Sequence, residues 1–237
     1  STSWRLPFVN KAGKQMDAYA IRHLFRQHKA GDLAFSFFLS DKAEYLPYFT
    51  EHVKSLGSAY QAGTIELIED GNGAYEAFRG GNRIENWVLA HHLFLASEKY
   101  SAEDQVLAMR MFLHHAEVLY HTNQSFNYGN HQTKGMVALA VISMMYPEFD
   151  TNKKYYDFAI AILGEHLEKE VNPDGFQFER SFHYHVGDID NYFRVYKLAQ
   201  ITGSPIPEAW SGKLKAMFSA MLAIALPNKN APVIQDD

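Results

Sequence analysis

The 237-residue chain has 22 basic and 27 acidic residues, a net charge of −5, and 47% hydrophobic residues. This balance is typical of a globular protein and argues against a nucleic-acid binder, which usually carries a strongly basic surface. Cysteine is absent, which excludes disulfides and thiolate metal sites. No apolar run reaches transmembrane length, so we expect no membrane partner. An anionic polysaccharide is not excluded, because a basic cleft can lie on an acidic protein.

Apolar residues recur with helical spacing along nearly the whole chain. Strand signals are confined to Thr64–Glu69 and Phe176–Phe178. Similar helix lengths and short connections favour antiparallel helical hairpins, and the sequence therefore predicts an all-α chain. We expect helices at about 14–30, 32–56, 84–95, 101–120, 131–145, 151–170, 187–202 and 208–226.

Local signals set several of these boundaries. Ser101, with Asp104 three residues later, resembles a capping box, and Thr151 or Asn152 is a cap candidate for a later helix. The sequence Asn-Pro-Asp-Gly at 172–175 predicts a turn. Two glycine-containing stretches, at 70–83 and 123–130, are expected to be irregular loops, which are frequent places for functional sites.

The first candidate site lies where the second of these loops enters a helix. Asn130 is a predicted N-cap residue and His131 follows in the first turn. Simple capping is the plainer interpretation, because asparagine often caps helices. The functional interpretation is that both side chains present donors beside a helix N-terminus, an arrangement suited to binding a carboxylate.

The second candidate site is the segment 174–185, in which a run of polar residues at 179–185 follows the predicted turn. A buried aromatic cluster, with a tyrosine hydroxyl bonded to backbone, would explain the run structurally. The concentration of titratable groups after a strong turn nevertheless favours a functional site. The run contains Glu179, Arg180, Ser181, Phe182, His183, Tyr184 and His185.

Arginines form the third candidate. We place Arg79 in the first glycine-containing loop and Arg83 at the start of a helix, where a guanidinium could bind sulfate or carboxylate. An ordinary ion pair is the plainer explanation for either one. Twelve histidines suggest a metal site, but no motif aims two ligands at one ion from a helix, so we predict no metal and no cofactor.

Asn130-His131, followed by the pattern PDGxxxERSxHYH on an all-α background, resembles the heparinase II/III superfamily of polysaccharide lyases. The segment GGNRIENW resembles an arginine-containing stretch that lines the family's cleft. The resemblance implies an incomplete (α/α) toroid over residues 1–226. Residues 227–237 would then be a linker to a β-sandwich domain that this chain lacks and that supplies a further catalytic histidine.

The resemblance also implies roles for individual residues in the β-elimination of uronic-acid-containing glycosaminoglycans of the heparin and heparan sulfate type. Asn130, assisted by His131, would neutralise the uronate carboxylate, and Tyr184 would protonate the leaving oxygen. Substrate contacts would come from Arg79, Arg83, Lys134, Glu179, Arg180 and His185. A periplasmic or secreted bacterial location follows from the same resemblance.

Three other functions stay open. An alginate lyase of the same superfamily would share the Asn-His and Tyr motifs. A glycoside hydrolase on an (α/α) barrel could use Asp174 and Glu179 as paired carboxylates. A non-catalytic glycan-binding or scaffold protein would show saturable binding and no product.

Overall fold

The structure is a computed structural model that describes residues 12–14, 18–62, 73–228, 230 and 232. Within these ranges there is no strand, only one isolated bridge between Val171 and Gln177. The predicted all-α class is therefore confirmed. The helices are α1 (Ala18–Arg26), α2 (His28–Ser40), α3 (Leu46–Gln61), α4 (Ala77–Phe94), α5 (Ala102–Thr122), α6 (Asn130–Met145), α7 (Lys154–Glu170), α8 (Phe182–Thr202) and α9 (Ala209–Ile224).

The predicted helices at 14–30 and 32–56 are wrong in their boundaries, because three helices occupy this part of the chain. Gln27 and Asp41 both take left-handed backbone conformations, with φ of 57° and 56°, and separate α1 from α2 and α2 from the next turn. Pro47 explains where α3 begins, since proline fits the first turn of a helix but not its interior.

Helix α4 begins seven residues before the predicted start at Ile84. The Glu76 carboxylate caps it by accepting hydrogen bonds from the backbone N–H groups of Phe78 and Arg79, at 3.1 and 3.3 Å. The described part of the predicted loop at 70–83 is therefore largely helical. The predicted strand at Thr64–Glu69 lies outside the described residues.

Later boundaries agree better with the sequence. Ser101 caps α5 by accepting the Asp104 backbone N–H at 3.1 Å, as predicted. Helix α7 is capped by Asp150 rather than by Thr151 or Asn152, through the backbone N–H groups of Tyr155 and Tyr156. Helix α8 begins at Phe182 instead of 187, and the predicted extended segment before it contributes only the isolated bridge. No helix in the described ranges has the length and apolar character needed to cross a bilayer.

The chain divides into two compact units, at residues 1–122 and 123–237. In the first unit, α4 packs against α1, α2 and α5. Aromatic rings fill its core: the Phe49 ring lies 5.9 Å from that of Phe94 and 6.2 Å from that of Trp87.

The predicted domain boundary at residue 226 stays a prediction, since most residues beyond it lie outside the described ranges.

In the second unit, α6 packs against α7 and α8, and α9 covers α8. Helix α6 is buried nearly all round, which fits its apolar run from Met136 to Ile142. The predicted turn at 172–175 forms, with the Gly175 N–H bonded to the Asn172 carbonyl at 2.9 Å. This turn lies between the end of α7 and the start of α8.

Candidate active site

Helices α6 and α8 face each other through two stripes of residues. The Lys134 ammonium donates to the Asn191 side-chain oxygen at 3.4 Å. Asn130 is one turn before Lys134, and Tyr184 is two turns before Asn191, so each lies on the same stripe as its partner. Asn130 and Tyr184 therefore both lie on the facing sides of the two helices.

The two helices also run in the same direction. Ser143, near the end of α6, and Thr202, at the end of α8, line one cavity. Counting from the contact between Lys134 and Asn191 at 1.5 Å per residue, Asn130 and Tyr184 differ by about 4.5 Å along the helix axes. The second unit thus brings the two predicted catalytic residues to the same end of one helix pair.

The start of α6 differs from the prediction in one respect. Gly129, with φ of 101°, is the N-cap residue, and Asn130 is the first residue of the helix. The N-cap assignment for Asn130 is therefore wrong. Asn130 is half-buried and His131 is exposed. Both lie in the first turn, where backbone N–H groups lack helical partners and attract negative charge.

The start of α8 is capped by Ser181, whose hydroxyl accepts the backbone N–H of Tyr184 at 3.4 Å. Tyr184 is half-buried, and its neighbour His183 is exposed. The loop before α6 meets the segment before α8 through the rings of Tyr128 and Phe178, whose centroids are 6.0 Å apart. Tyr128 is 64% exposed, which leaves one aromatic surface open beside Asn130.

A buried polar cluster lies beneath these helix starts. His166 and Glu170 are both on α7, four residues apart, with Nδ1 and Oε2 separated by 2.9 Å. The other ring nitrogen of His166 lies 3.1 Å from the Gln132 side-chain oxygen. Sequence reasoning missed this pair, although the His-x-x-x-Glu spacing in a predicted helix was a usable signal.

Asp188 adds a further acid to the cluster. It is 1% exposed, and its side chain accepts a long, 3.5 Å hydrogen bond from Asn191. Burial, followed by the neighbouring charge of Glu170, raises the pKa of the Asp188 carboxyl to about 7. A carboxyl group with such a pKa is protonated in a substantial fraction of molecules at neutral pH.

The other predicted residues of this run have different environments. Glu179 is half-buried and accepts the Gln177 side-chain amide at 3.2 Å. Arg180 is exposed, takes a left-handed φ of 57°, and lies 3.6 Å from Asp174. Both could reach a ligand, and their substrate-binding roles stay predictions.

The predicted substrate contact of His185 is not supported, because its ring is fully buried. Nδ1 accepts the Gln177 backbone N–H at 3.2 Å, and Nε2 donates to the Met217 carbonyl at 3.0 Å. Burial lowers the pKa of His185 and keeps the ring neutral, against the smaller opposing effects of the Met217 carbonyl and Asp174. His185 is a structural residue that ties α8 to α9.

The predicted substrate contact of Arg83 is likewise not supported. Its side chain is fully buried in the first unit, where Nε donates to His115 at 3.0 Å and Nη1 to the Phe25 carbonyl at 2.9 Å. Arg79 is 4% exposed, with Nη1 3.4 Å from the Gly73 carbonyl. Arg79 thus lies in the first turn of α4 instead of a loop, Arg83 lies one turn later instead of at the helix start, and both guanidinium groups are buried.

Within the described ranges no three histidine or acidic side chains converge as metal ligands would. The site instead combines an amide, a phenol and exposed imidazoles.

The Heparinase II/III N-terminus family model matches residues 13–237. This chain belongs to the heparinase II/III family.

Curated relatives of this heparinase II/III chain are heparin-sulfate lyases. The Pedobacter heparinus protein is 27% identical over 125 residues, which cover 52% of this chain and 19% of the relative. The Bacteroides stercoris protein is 21% identical over 171 residues, which cover 71% of this chain and 25% of the relative. The matched regions thus span at most about a quarter of these two relatives.

Solved structures show the same fold. The crystal structure of heparan sulfate lyase HepC from Pedobacter heparinus matches 98% of this chain and 35% of its own, with a TM-score of 0.73 and 20% identity. A structure of heparinase III matches 86% of this chain and 31% of its own, also with a TM-score of 0.73 and 20% identity. The predicted helical (α/α) toroid fold is confirmed by this likeness.

Proposed function

We propose that this chain is the helical catalytic part of a polysaccharide lyase that cleaves uronic-acid-containing glycosaminoglycans of the heparan sulfate type. The observation that carries the proposal is the placement of Asn130 and Tyr184 at the same end of α6 and α8, on facing stripes. Family membership and the heparin-sulfate lyase relatives support it. We propose in addition that a β-sandwich domain of the same protein completes the active site.

The chemistry requires removal of the proton on C5 of the uronate, next to its carboxylate. Charge develops on that carboxylate in the transition state, and preorganised donors there usually provide the largest catalytic effect. We assign this role to the Asn130 amide, assisted by His131 and by the positive end of α6. The electron pair of the C5–H bond then forms the C4–C5 double bond as the C4–O4 bond breaks.

Tyr184 is assigned as the acid that gives its phenolic proton to the departing O4. The tyrosine hydroxyl is a hydrogen donor and can supply this proton. For one uronate epimer Tyr184 would instead begin as the phenolate, take the C5 proton and pass that same proton to O4, so one side chain would serve both steps. The other epimer needs a separate base, for which we propose the histidine of the following β-sandwich domain.

The direct test is to incubate the full-length protein with heparan sulfate, hyaluronan, chondroitin and alginate. An eliminase yields products with a C4–C5 double bond, which absorb in the ultraviolet, whereas a hydrolase does not. We expect unsaturated product from heparan sulfate. Product from alginate alone would move the protein to the alginate lyases, and saturable binding without product would contradict catalysis.

We also propose a periplasmic or secreted location. A polymeric anionic substrate does not cross a bilayer unaided, so a lyase acting on intact chains would meet it outside the cytoplasm. Fractionation of the native host, followed by immunodetection, tests this. Recovery in the cytoplasmic fraction would contradict it.

A further inference from the structure

Glu170 is a buried acid that contacts both segments of the candidate site. Its side-chain Oε1 accepts the Gly129 backbone N–H at 2.6 Å. Its backbone carbonyl accepts the Phe178 N–H at 2.8 Å, beside the bridge between Val171 and Gln177. One residue at the end of α7 is therefore bonded to the segment before Asn130 and to the segment before Tyr184.

Gly129 depends on this contact for its conformation. Its φ of 101° and ψ of 166° lie in a region that only glycine adopts readily, and glycine has no side chain that could cap the helix. The Glu170 carboxylate fixes this peptide and lies near the positive end of α6, where a negative charge is favourable. Because Asn130 follows directly, the carboxylate sets where α6 begins.

The second carboxylate oxygen of Glu170 faces His166, whose ring is oriented by Gln132. Gln132 accepts the Asn127 backbone N–H at 2.8 Å and donates its amide to the Ser125 carbonyl at 2.7 Å, which fixes the side-chain oxygen towards His166. His166 Nε2 therefore carries a hydrogen.

Nδ1 of the same ring lies 2.9 Å from Glu170 Oε2, close, although not aligned as a regular hydrogen bond. The pair is fully buried, with His166 at 0% and Glu170 at 1% exposure. One oxygen of the Glu170 carboxylate thus contacts the His166 imidazole, and the other accepts the Gly129 backbone N–H.

We propose that Glu170 is a positioning residue, held in place by His166, that fixes Asn130 and the Tyr184 segment relative to each other. This inference rests on the proposed lyase function. Glu170 is buried away from substrate; its side chain acts through the Gly129 backbone N–H, while its backbone carbonyl, which every substitution retains, accepts the Phe178 N–H. A misplacement of about 1 Å in such a site can lower turnover about a hundredfold.

Three substitutions in the full-length protein test the geometry. In Glu170→Gln, the amide oxygen still accepts from Gly129 and the amide nitrogen donates to His166 Nδ1, so both contacts are replaced. Glu170→Asp keeps the charge but is one methylene too short to make both contacts, and Glu170→Ala makes neither. We expect kcat to fall about 10- to 100-fold in the Asp and Ala variants and less than about threefold in the Gln variant. KM should change little in all three.

Leu163→Ala is the matched control for stability. Leu163 is fully buried on the same helix, two turns before Glu170, and its truncation destabilises the unit without touching the contact. All variants are assayed well below their melting temperatures. Undiminished kcat in Glu170→Ala, equal loss in Glu170→Gln and Glu170→Ala, or equal loss in Leu163→Ala would each overturn the proposal.

Hydrogen exchange at the Gly129 amide gives a readout independent of activity. We expect slow exchange in the unsubstituted protein and in Glu170→Gln, and exchange about tenfold faster or more in Glu170→Ala. If the unsubstituted protein makes no unsaturated product, the proposed function fails while this measurement still decides whether the carboxylate fixes Gly129. Equal exchange in all variants overturns the positioning role itself.

Discussion

Lys134 on α6 donates to the Asn191 side chain on α8 across 3.4 Å, and this contact fixes the register of the two helices. The positions of Asn130 and Tyr184 follow from that register, because Asn130 lies about one turn before Lys134 and Tyr184 lies about two turns before Asn191. Lys134 is half-buried here. Its predicted contact with substrate stays a prediction, and its bond to Asn191 is the role that the structure describes.

Tyr184→Phe removes only the phenolic oxygen and therefore tests proton donation. We expect kcat on heparan sulfate to fall about 10²- to 10⁴-fold, the usual contribution of a positioned acid or base, with KM within about threefold. Steady-state kinetics on the full-length protein measures both. Tyr196→Phe, twelve residues later on the same helix, is the control and should keep its activity. A near-normal rate for Tyr184→Phe would remove Tyr184 from the mechanism.

Asn130→Ala separates catalysis from helix capping. Because Gly129 is the N-cap residue, the substitution should change the free energy of unfolding by less than about 0.5 kcal/mol. Loss of a true N-cap side chain would cost about 1 kcal/mol. Turnover should nevertheless collapse, because the uronate carboxylate loses its donor. Urea unfolding and kinetics on one preparation distinguish the two roles, and a stable variant with full activity would contradict the assignment.

Gly175→Ala should destabilise the second unit strongly. Gly175 has a φ of 85°, and an added Cβ would lie 2.3 Å from the Ala216 carbonyl oxygen, a backbone atom that cannot move alone. We expect a loss of about 2–4 kcal/mol in the free energy of unfolding. Gly212→Ala in α9 is the control: its Cβ meets nothing within 4 Å, and it should stabilise the helix by up to about 1 kcal/mol. Similar unfolding midpoints for the two variants would contradict this account of the turn.

The all-α fold was largely predictable because apolar residues recur with helical spacing along the sequence. Several helix boundaries were not predictable. The break before α3 depends on left-handed residues such as Asp41, which few sequence signals mark. The cap of α4 is Glu76, an unusual capping residue. The stop of α7 near Glu170 was predictable from the turn that follows.

The candidate site was predictable only in part. Asn130 and Tyr184 were found because each belongs to a recognisable motif. Arg83 and His185 have the chemistry of ligand-binding residues, but burial decides their roles, and burial depends on packing that a sequence does not display. Glu170 was missed because its partner Gly129 is 41 residues away and contributes a backbone group.

The buried histidines should lower the free energy of unfolding as the pH falls through the range where free histidine titrates, whereas Asp188, whose pKa burial raises to about 7, acts in the opposite direction over the same range. Burial lowers the pKa of His185 below its usual value, lowers that of His91 to about 4 and holds that of His115 well below 6.5. Below pH 6.5 the unfolded chain therefore binds more protons than the folded one, and protonation favours unfolding. This stabilising contribution is complete above pH 6.5 and is lost towards pH 4.

Urea unfolding at pH 7.5, 6.5, 5.5 and 4.5 checks this dependence. His185→Gln should reduce the contribution of the second unit to the slope of the free energy of unfolding against pH, because glutamine does not titrate. His183→Gln, an exposed neighbour, is the control and should leave the slope unchanged. Equal pH slopes for His185→Gln and the unsubstituted protein would show that the fold does not hold His185 neutral, since Asp188 contributes equally to both.

The most direct test of the account is a crystal structure of full-length Tyr184→Phe with a heparan sulfate tetrasaccharide bound. We expect one uronate to place a carboxylate oxygen about 2.7–3.2 Å from the Asn130 amide nitrogen. Its bridging O4 should face the ring at position 184. A tetrasaccharide that binds elsewhere, or whose carboxylate does not contact Asn130, would contradict the claim that these two residues act on one sugar.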